Sequence, residues 1–217
     1  MPGKHVRFNE ENIFYSPAPA TPSPSHSDCS LPSSSGPRTP PQKVYSPLPT
    51  GPVVIHPLLA FDPRIPPINY DVSFPPNTLS PNIRSSPSAL PPHVLAEPAT
   101  NPPMATLTLI NDVLPWTLTV QANSSSYVAV IDVLDAVYRF LRLTVSKPEY
   151  KALPSQEAKD LVSVAFSKRC HRAPTAETYE DEKQKGVKRV DFLVGHHKFM
   201  GLSSTKRGPD VWVLNLS

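Results

Sequence analysis

The placement of proline constrains this chain more than any other feature. Of its 30 prolines, twelve fall in residues 1–52, thirteen in 53–103 and only five in the last 114 residues. Each one removes a backbone donor and pushes its predecessor out of helical geometry. Long helices and central strands are therefore excluded from the first half, and a regular packed domain has to be built from the second.

Residues 1–52 read as a disordered tail. Beyond the opening string, SPAPATPSPSHSDCSLPSSSGPRTPPQKVYSPLPTGP has few side chains that can fill a core, too few to offset the entropy of ordering them. Five Ser-Pro or Thr-Pro steps, at Ser16, Thr21, Ser23, Thr39 and Ser46, mark it as a candidate for proline-directed phosphorylation. From Val53 the composition turns apolar, and residues 53–217 are expected to form a single domain. Its stretch 75–103 reads as a long proline-rich loop.

Within that domain the periodicities switch in order. In INYDVSF, Tyr70, Val72 and Phe74 alternate with polar residues, the pattern of a half-buried strand. ATLTLIN (105–111) and WTLTVQAN (116–123) repeat the pattern, and YVAV (127–130) is a further short strand candidate. Asp132 stands at an N-cap position before a helix with Val133, Val137, Phe140 and Leu141 on one face. Ser146 with Glu149 forms a capping-box pattern, and Ser155 precedes a helix that turns Ala158, Leu161, Val162, Ala165 and Phe166 inward. APTAETYEDEKQKG (173–186) is polar enough to be a loop, while KRVDFLVG and HKFMGL are strand candidates. The terminal VWVLNLS is apolar on both faces and reads as a central strand. Strands, helices and strands again give an α+β domain, with one mostly antiparallel sheet and about two main helices.

A net charge of +3 is too small to argue for nucleic acid. The two cysteines, Cys29 and Cys170, make no disulfide framework and suit a reducing compartment. MPGKHVRFNEE has no apolar leader region, and nothing downstream reaches the run of about 20 apolar residues that spans a bilayer. Cytoplasm or nucleus is the expected location.

The blocks IHPLLAFDP, LAEPATNPP, VIDVLDAVYRFLR, VDFLVGHHKFMGLSS and GPDVWVLNLS, in this order, resemble a domain of unknown function abundant in mushroom-forming fungi. The resemblance spans about residues 54–217. It implies one domain and a fungal protein, with a KHVRF-like opening and Ser/Pro-rich tail often ahead of it. No catalytic residue, metal ligand or cofactor is implied.

The residues themselves point away from common chemistries. GLSST (201–205) lacks the second glycine of a nucleophile elbow, so a Ser/Thr turn explains it better than a triad of Ser203, His197 and Asp210. His196–His197 and Cys170–His171 are adjacent pairs, and neighbours on a strand point to opposite faces, which does not suit zinc. No glycine-rich phosphate loop is present. Lys168, Arg169, His171 and Arg172 end a helix, where cations favour the dipole, and Glu177, Glu180, Asp181 and Glu182 break up any basic patch. The expectation is a non-enzyme without catalytic, cofactor or metal residues. An enzyme with a site near His196 and His197 is the alternative.

Lys4-His5-Val6-Arg7-Phe8 resembles the docking motif of protein phosphatase 1 regulators, a basic residue followed by V-x-F. In an extended peptide Val6 and Phe8 point the same way, so both can enter neighbouring apolar pockets while Lys4 meets an acidic rim. The motif region runs over residues 4–15 and includes Glu10, Glu11 and Ile13-Phe14-Tyr15, and Val6, Phe8, Ile13 and Phe14 can equally pack back on the domain as an added strand. The expected role is an interaction or regulatory protein with protein partners, among them the phosphatase catalytic subunit. No membrane is expected as a partner and nucleic acid is disfavoured. The sequence leaves the oligomeric state open.

Overall fold

The computed structural model describes residues 49, 51–81, 90–123 and 125–217. The expectations for the tail, including disorder, docking through Lys4, Val6 and Phe8, and phosphorylation at Ser16, Thr21, Ser23, Thr39 and Ser46, lie outside these residues. In chain order the strands are β1 (Val54–Ile55), β2 (Ile68–Asn69), β3 (Ser80–Pro81), β4 (Thr100–Asn101), β5 (Thr106–Ile110), β6 (Leu118–Gln121), β7 (Phe199–Ser204) and β8 (Val211–Leu216). The helices are α1 (Pro92–Leu95), α2 (Val130–Leu141), α3 (Lys147–Lys151), α4 (Gln156–His171) and α5 (Ala176–Gln184). Three 3-10 turns cover Pro57–Leu59, Pro76–Thr78 and Arg189–Leu193.

The α+β class holds, with α2 and α4 as the two main helices. The principal sheet has the order β6-β5-β8-β7. Its β5–β6 and β7–β8 pairs are antiparallel, and β5–β8 is parallel. β8 is central, as its two-faced apolar pattern requires: Trp212 and Leu214 are buried, and Val211 and Val213 half-buried. On β5, Leu107 and Leu109 are buried while Thr106 is exposed and Thr108 half-buried, so one face of the strand carries the core. At Gly201 (φ 109°) β7 crosses the Pro57–Leu59 turn so closely that a Cβ would overlap the Ala60 carbonyl and lie 2.6 Å from Phe61 Cα. Only glycine fits there, and the Leu202 carbonyl accepts from Phe61 N at 3.1 Å.

Helix α2 covers the sheet beside β6. It buries Val130, Val133, Leu134, Val137 and Leu141, one stripe at helical spacing. Five such side chains contribute on the order of 10 kcal/mol of gross burial before entropy is charged against it. The long proline-rich stretch carries only short elements, yet Leu79, Ala99 and Thr100 within it are buried. His56 ties it down: its Nδ1 accepts from Leu58 N at 3.1 Å, and its Nε2 lies 2.9 Å from Glu97 Oε2.

Several local expectations are corrected. YVAV is not a strand, because α2 already begins at Val130. Asp132 sits inside its first turn and reaches back to accept from Ala129 N at 2.9 Å. INYDVSF is a named strand only at Ile68–Asn69, with an isolated antiparallel bridge from Asp71 to Lys198, and Phe74 is exposed while Tyr70 and Val72 are buried. The polar run after residue 173 is helical over Ala176–Gln184. Thr175 caps it, and ion pairs Lys185–Asp181 and Lys183–Glu180 lie along its surface. KRVDFLVG is a 3-10 turn over Arg189–Leu193, not a strand, and buries Val190, Asp191, Phe192 and Leu193 in succession where a half-buried strand would bury every second residue. The capping box of Ser146 with Glu149 and the Ser155 cap are present as read.

Candidate functional site

Helix α4 buries only Val162 and Cys170 fully, and Leu161, expected inward, is 47% exposed. Val164 is 50% exposed on the same side. Ion pairs from Arg169 tie the helix to its neighbours. Arg169 Nε and Nη2 donate to the two carboxylate oxygens of Asp191 at 2.8 and 2.9 Å, a bidentate pair, and Nη2 also reaches the Gly186 carbonyl. Its Nη1 contacts Glu182, which also accepts from Lys188 Nζ at 2.7 Å and from Arg142 at 2.9 Å. One cluster thus joins α2, α4, α5 and the Arg189–Leu193 turn.

The cluster runs from half-buried Arg142 and Glu182 to a fully buried end. Asp191 is 2% and Lys188 3% exposed. Three cations face two carboxylates, so burial, opposed by the Glu182 hydrogen bond but helped by Arg142 and Arg169, holds the Lys188 ammonium below its ordinary value. For Glu182, burial works upward, but the Lys188 hydrogen bond and the charges of Arg142, Lys188 and Arg169 outweigh it and hold the carboxyl below its usual range. Burial works downward on Arg169 as well, and its Asp191 hydrogen bond and the neighbouring carboxylates more than reverse it.

Against this clamp a cavity of about 200 Å³ opens between α4 and residues 190–197. Leu161, Val164, Ala165, Val190 and Val194 give it apolar walls. Lys168 and Arg172 stand exposed at its rim, and neither forms an ion pair among the described residues. Val194 has left-handed backbone geometry (φ 49°, ψ 38°), which is costly for a β-branched residue, and it remains 37% exposed. Glycine follows it, also at positive φ, so the chain turns sharply at the groove mouth.

His197 lines the groove, whereas His196 is exposed and is not among the lining residues. Burial holds the His197 imidazole below its ordinary value, Asp71 opposing and Arg172 assisting. Ser203 is on β7, and its hydroxyl accepts from Asn215 Nδ2 at 3.0 Å. The backbone carbonyl of Asp210 accepts from Thr108 N. No described hydrogen bond joins Ser203, His197 and Asp210. Cys170 is a free buried thiol whose pKa burial raises, an inert setting for sulfur. Among the described residues no group of three or more His, Cys, Asp or Glu could hold a metal ion, and no helix is long and apolar enough to cross a membrane. The basic end of α4, expected mainly to complement the helix dipole, is divided: Arg169 turns inward to the clamp, and Lys168 and Arg172 stay at the groove.

Sequence reasoning missed the groove because it placed Leu161 inside and read residues 188–195 as a strand. The available signal was Val164, an apolar residue off the inward face of a helix otherwise polar there.

Residues 68–210 match the model of a family of unknown function, DUF6699, and the chain belongs to that family. The match stops one residue before β8, so the folded sheet extends past the matched span. No curated protein and no solved structure matches the chain.

Proposed function

We propose that this chain is a non-enzymatic interaction or regulatory protein whose domain binds a short peptide segment in the groove beside α4. The observation that carries this reading is the exposure of Leu161, Val164 and Val194 around one cavity, with Lys168 and Arg172 at its edge. About 200 Å³ falls below the usual 300–1,000 Å³ of a small-molecule site. It is near the size that admits one aromatic ring. Apolar walls with a cationic rim suit an acidic peptide carrying an aromatic anchor. The resemblance to fungal sequences supports a fungal protein of the cytoplasm or nucleus, with tail phosphorylation among its controls.

The test is affinity capture with the full chain and its Val164→Glu variant, whose exposed position tolerates the change. Loss of a defined set of partners at unchanged melting temperature is expected. Identical partner sets would overturn the reading.

A second reading rests on the KHVRF string: the chain docks on protein phosphatase 1 through Lys4, Val6 and Phe8. Val6→Ala/Phe8→Ala is then expected to abolish co-purification of the phosphatase, and undiminished recovery would end that reading.

A further inference from the structure

We infer that the groove beside α4 reads phosphotyrosine in a partner peptide: the ring enters the cavity and the phosphoryl group meets Lys168 and Arg172. This rests on the groove being a peptide site and names the side chain it takes.

The charge around the groove calls for a dianion. Among the side chains lining it, Lys168, Arg169 and Arg172 are cationic, and Asp191 is the one carboxylate. The partners they hold bring in Glu182, with its further cations Arg142 and Lys188. Asp71 belongs to the same neighbourhood, since its charge and that of Arg172 both act on His197. Five cations therefore face three carboxylates. Arg169 is spent on Asp191 and Glu182, and Asp71 Oδ1 accepts from Ser73 N and Oγ at 2.8 and 2.6 Å. Lys168 and Arg172 are exposed at the mouth and form no ion pair among the described residues. A phosphorylated side chain carries about −1.5 to −2 charge near pH 7 and offers three acceptor oxygens, more than one carboxylate supplies. The planar fork of Arg172 can take two of those oxygens, and Lys168 adds a point charge beside them.

The shape of the groove calls for a ring on the same side chain. Val164, Lys168 and Arg172 follow one another at four-residue spacing, so they share one face of α4 with about 6 Å between successive Cβ atoms. Leu161 and Ala165 flank Val164, and Val190 and Val194 complete about 200 Å³ of apolar-walled space. A ring seated beside Val164 thus has one cation a helical turn away and a second one turn beyond. Tyrosine phosphorylated at its para oxygen carries ring and charge in that order, as one rigid unit. Phosphoserine reaches the cations and leaves the cavity unfilled. Unmodified tyrosine fills the cavity and leaves both cations unpaired.

Fluorescence anisotropy with the full-length protein tests the assignment. The probes are labelled five-residue alanine peptides whose central residue is phosphotyrosine, tyrosine, phosphoserine or glutamate. The phosphotyrosine peptide is expected to bind at least about tenfold tighter than the other three. Lys168→Gln/Arg172→Gln should bring it down to the level of the tyrosine peptide, and Leu161→Ala/Val164→Ala to that of the phosphoserine peptide. All four side chains are exposed, so melting temperatures should stay close to wild type. Equal binding of the phosphotyrosine and phosphoserine peptides would reduce the site to a charged patch and overturn the inference. Equal binding of the phosphotyrosine and tyrosine peptides would also overturn it, as would phosphotyrosine binding that survives Lys168→Gln/Arg172→Gln. Phenyl phosphate should compete at least about tenfold more weakly than the peptide; equal competition would assign the groove to free aryl phosphates and overturn a peptide ligand. Failure of all four peptides overturns phosphotyrosine recognition, while the Val164→Glu capture result decides independently whether the groove is a peptide site.

Discussion

The four-stranded sheet and the α4–α5 corner are held by different physics. In the sheet, Leu107, Leu109, Val120, Trp212 and Leu214 are removed from water and backbone groups pair along the ladders. At the corner, α4 contributes two fully buried side chains, and Arg169 does much of the anchoring through Asp191 and Glu182. Apolar burial is non-directional and scales with the apolar area removed from water. A charge clamp needs only its own partners, so Leu161 and Val164 can stay at the surface. A helix fixed by ions is free to keep apolar side chains beside the clamp as a binding face.

The largest expected effect breaks the sheet. Deleting residues 211–217 removes β8, which separates β5 from β7 and carries Trp212 and Leu214. Loss of two ladders and two core side chains exceeds the 5–15 kcal/mol stability typical of a domain once β7 and β5 are left unpaired. No soluble folded protein is expected, and a truncated chain with a cooperative melt at the full-length temperature would contradict the central role of β8.

Breaking the clamp should be severe but local. Arg169→Ala leaves Asp191 buried without its bidentate partner, a change that typically costs about 3–5 kcal/mol. Native-state hydrogen exchange should show α4 and α5 opening while β5 and β8 amides keep their protection relative to global unfolding. Equal loss across sheet and corner would mean that the two regions are one cooperative unit.

A smaller effect comes from pH. The folded pKa of His197 lies below its ordinary value near 6.5, because burial disfavours the charged ring despite Asp71. The unfolded chain therefore binds the proton first. The contribution is complete above about pH 6.5 and is lost as pH falls through the depressed folded value. Glu182 acts in the same sense in a lower window, since its carboxyl is held below an ordinary 4.5. Chemical denaturation from pH 7.5 to 5 should show falling stability, and His197→Asn should flatten that limb while leaving the acid limb below it. An unchanged profile in the variant would remove His197 from the account.

The sheet was legible in sequence because its signal is local: alternating Leu and Thr in TLTLI, and apolar residues on both faces of VWVLNL, depend on no distant partner. The corner was not. Ala176–Gln184 is polar throughout, and its helix is secured by Glu182 reaching Arg169 and Lys188 on other elements, contacts that no window of periodicity contains. Residues 189–193 misled for the opposite reason. Val190, Phe192 and Val194 alternate as a strand would, but Asp191 is pulled inward by Arg169 and accepts from Lys188 N at 2.8 Å, and that winds the backbone into a 3-10 turn. The missed groove follows from the second misreading, since it lies where residues 190–197 meet α4. His197 was singled out with His196, and only His197 lines the groove.

The smallest effect separates stability from binding at one residue. Val194 holds left-handed geometry at a cost of about 1–2 kcal/mol for an L residue, and glycine is free of it. Val194→Gly also loses partial packing and gains unfolded-chain entropy, about 0.5–1 kcal/mol for the latter. These terms nearly cancel, so the melting temperature should hardly move. The groove, however, loses one apolar wall, and the set of partners captured by the full chain should shrink. If Val194→Gly leaves that partner set intact, the strained valine serves the turn alone. If it unfolds the corner, the side chain packs harder than its exposure implies, and the division between a charge-held helix and a free apolar face would have to be redrawn at this residue.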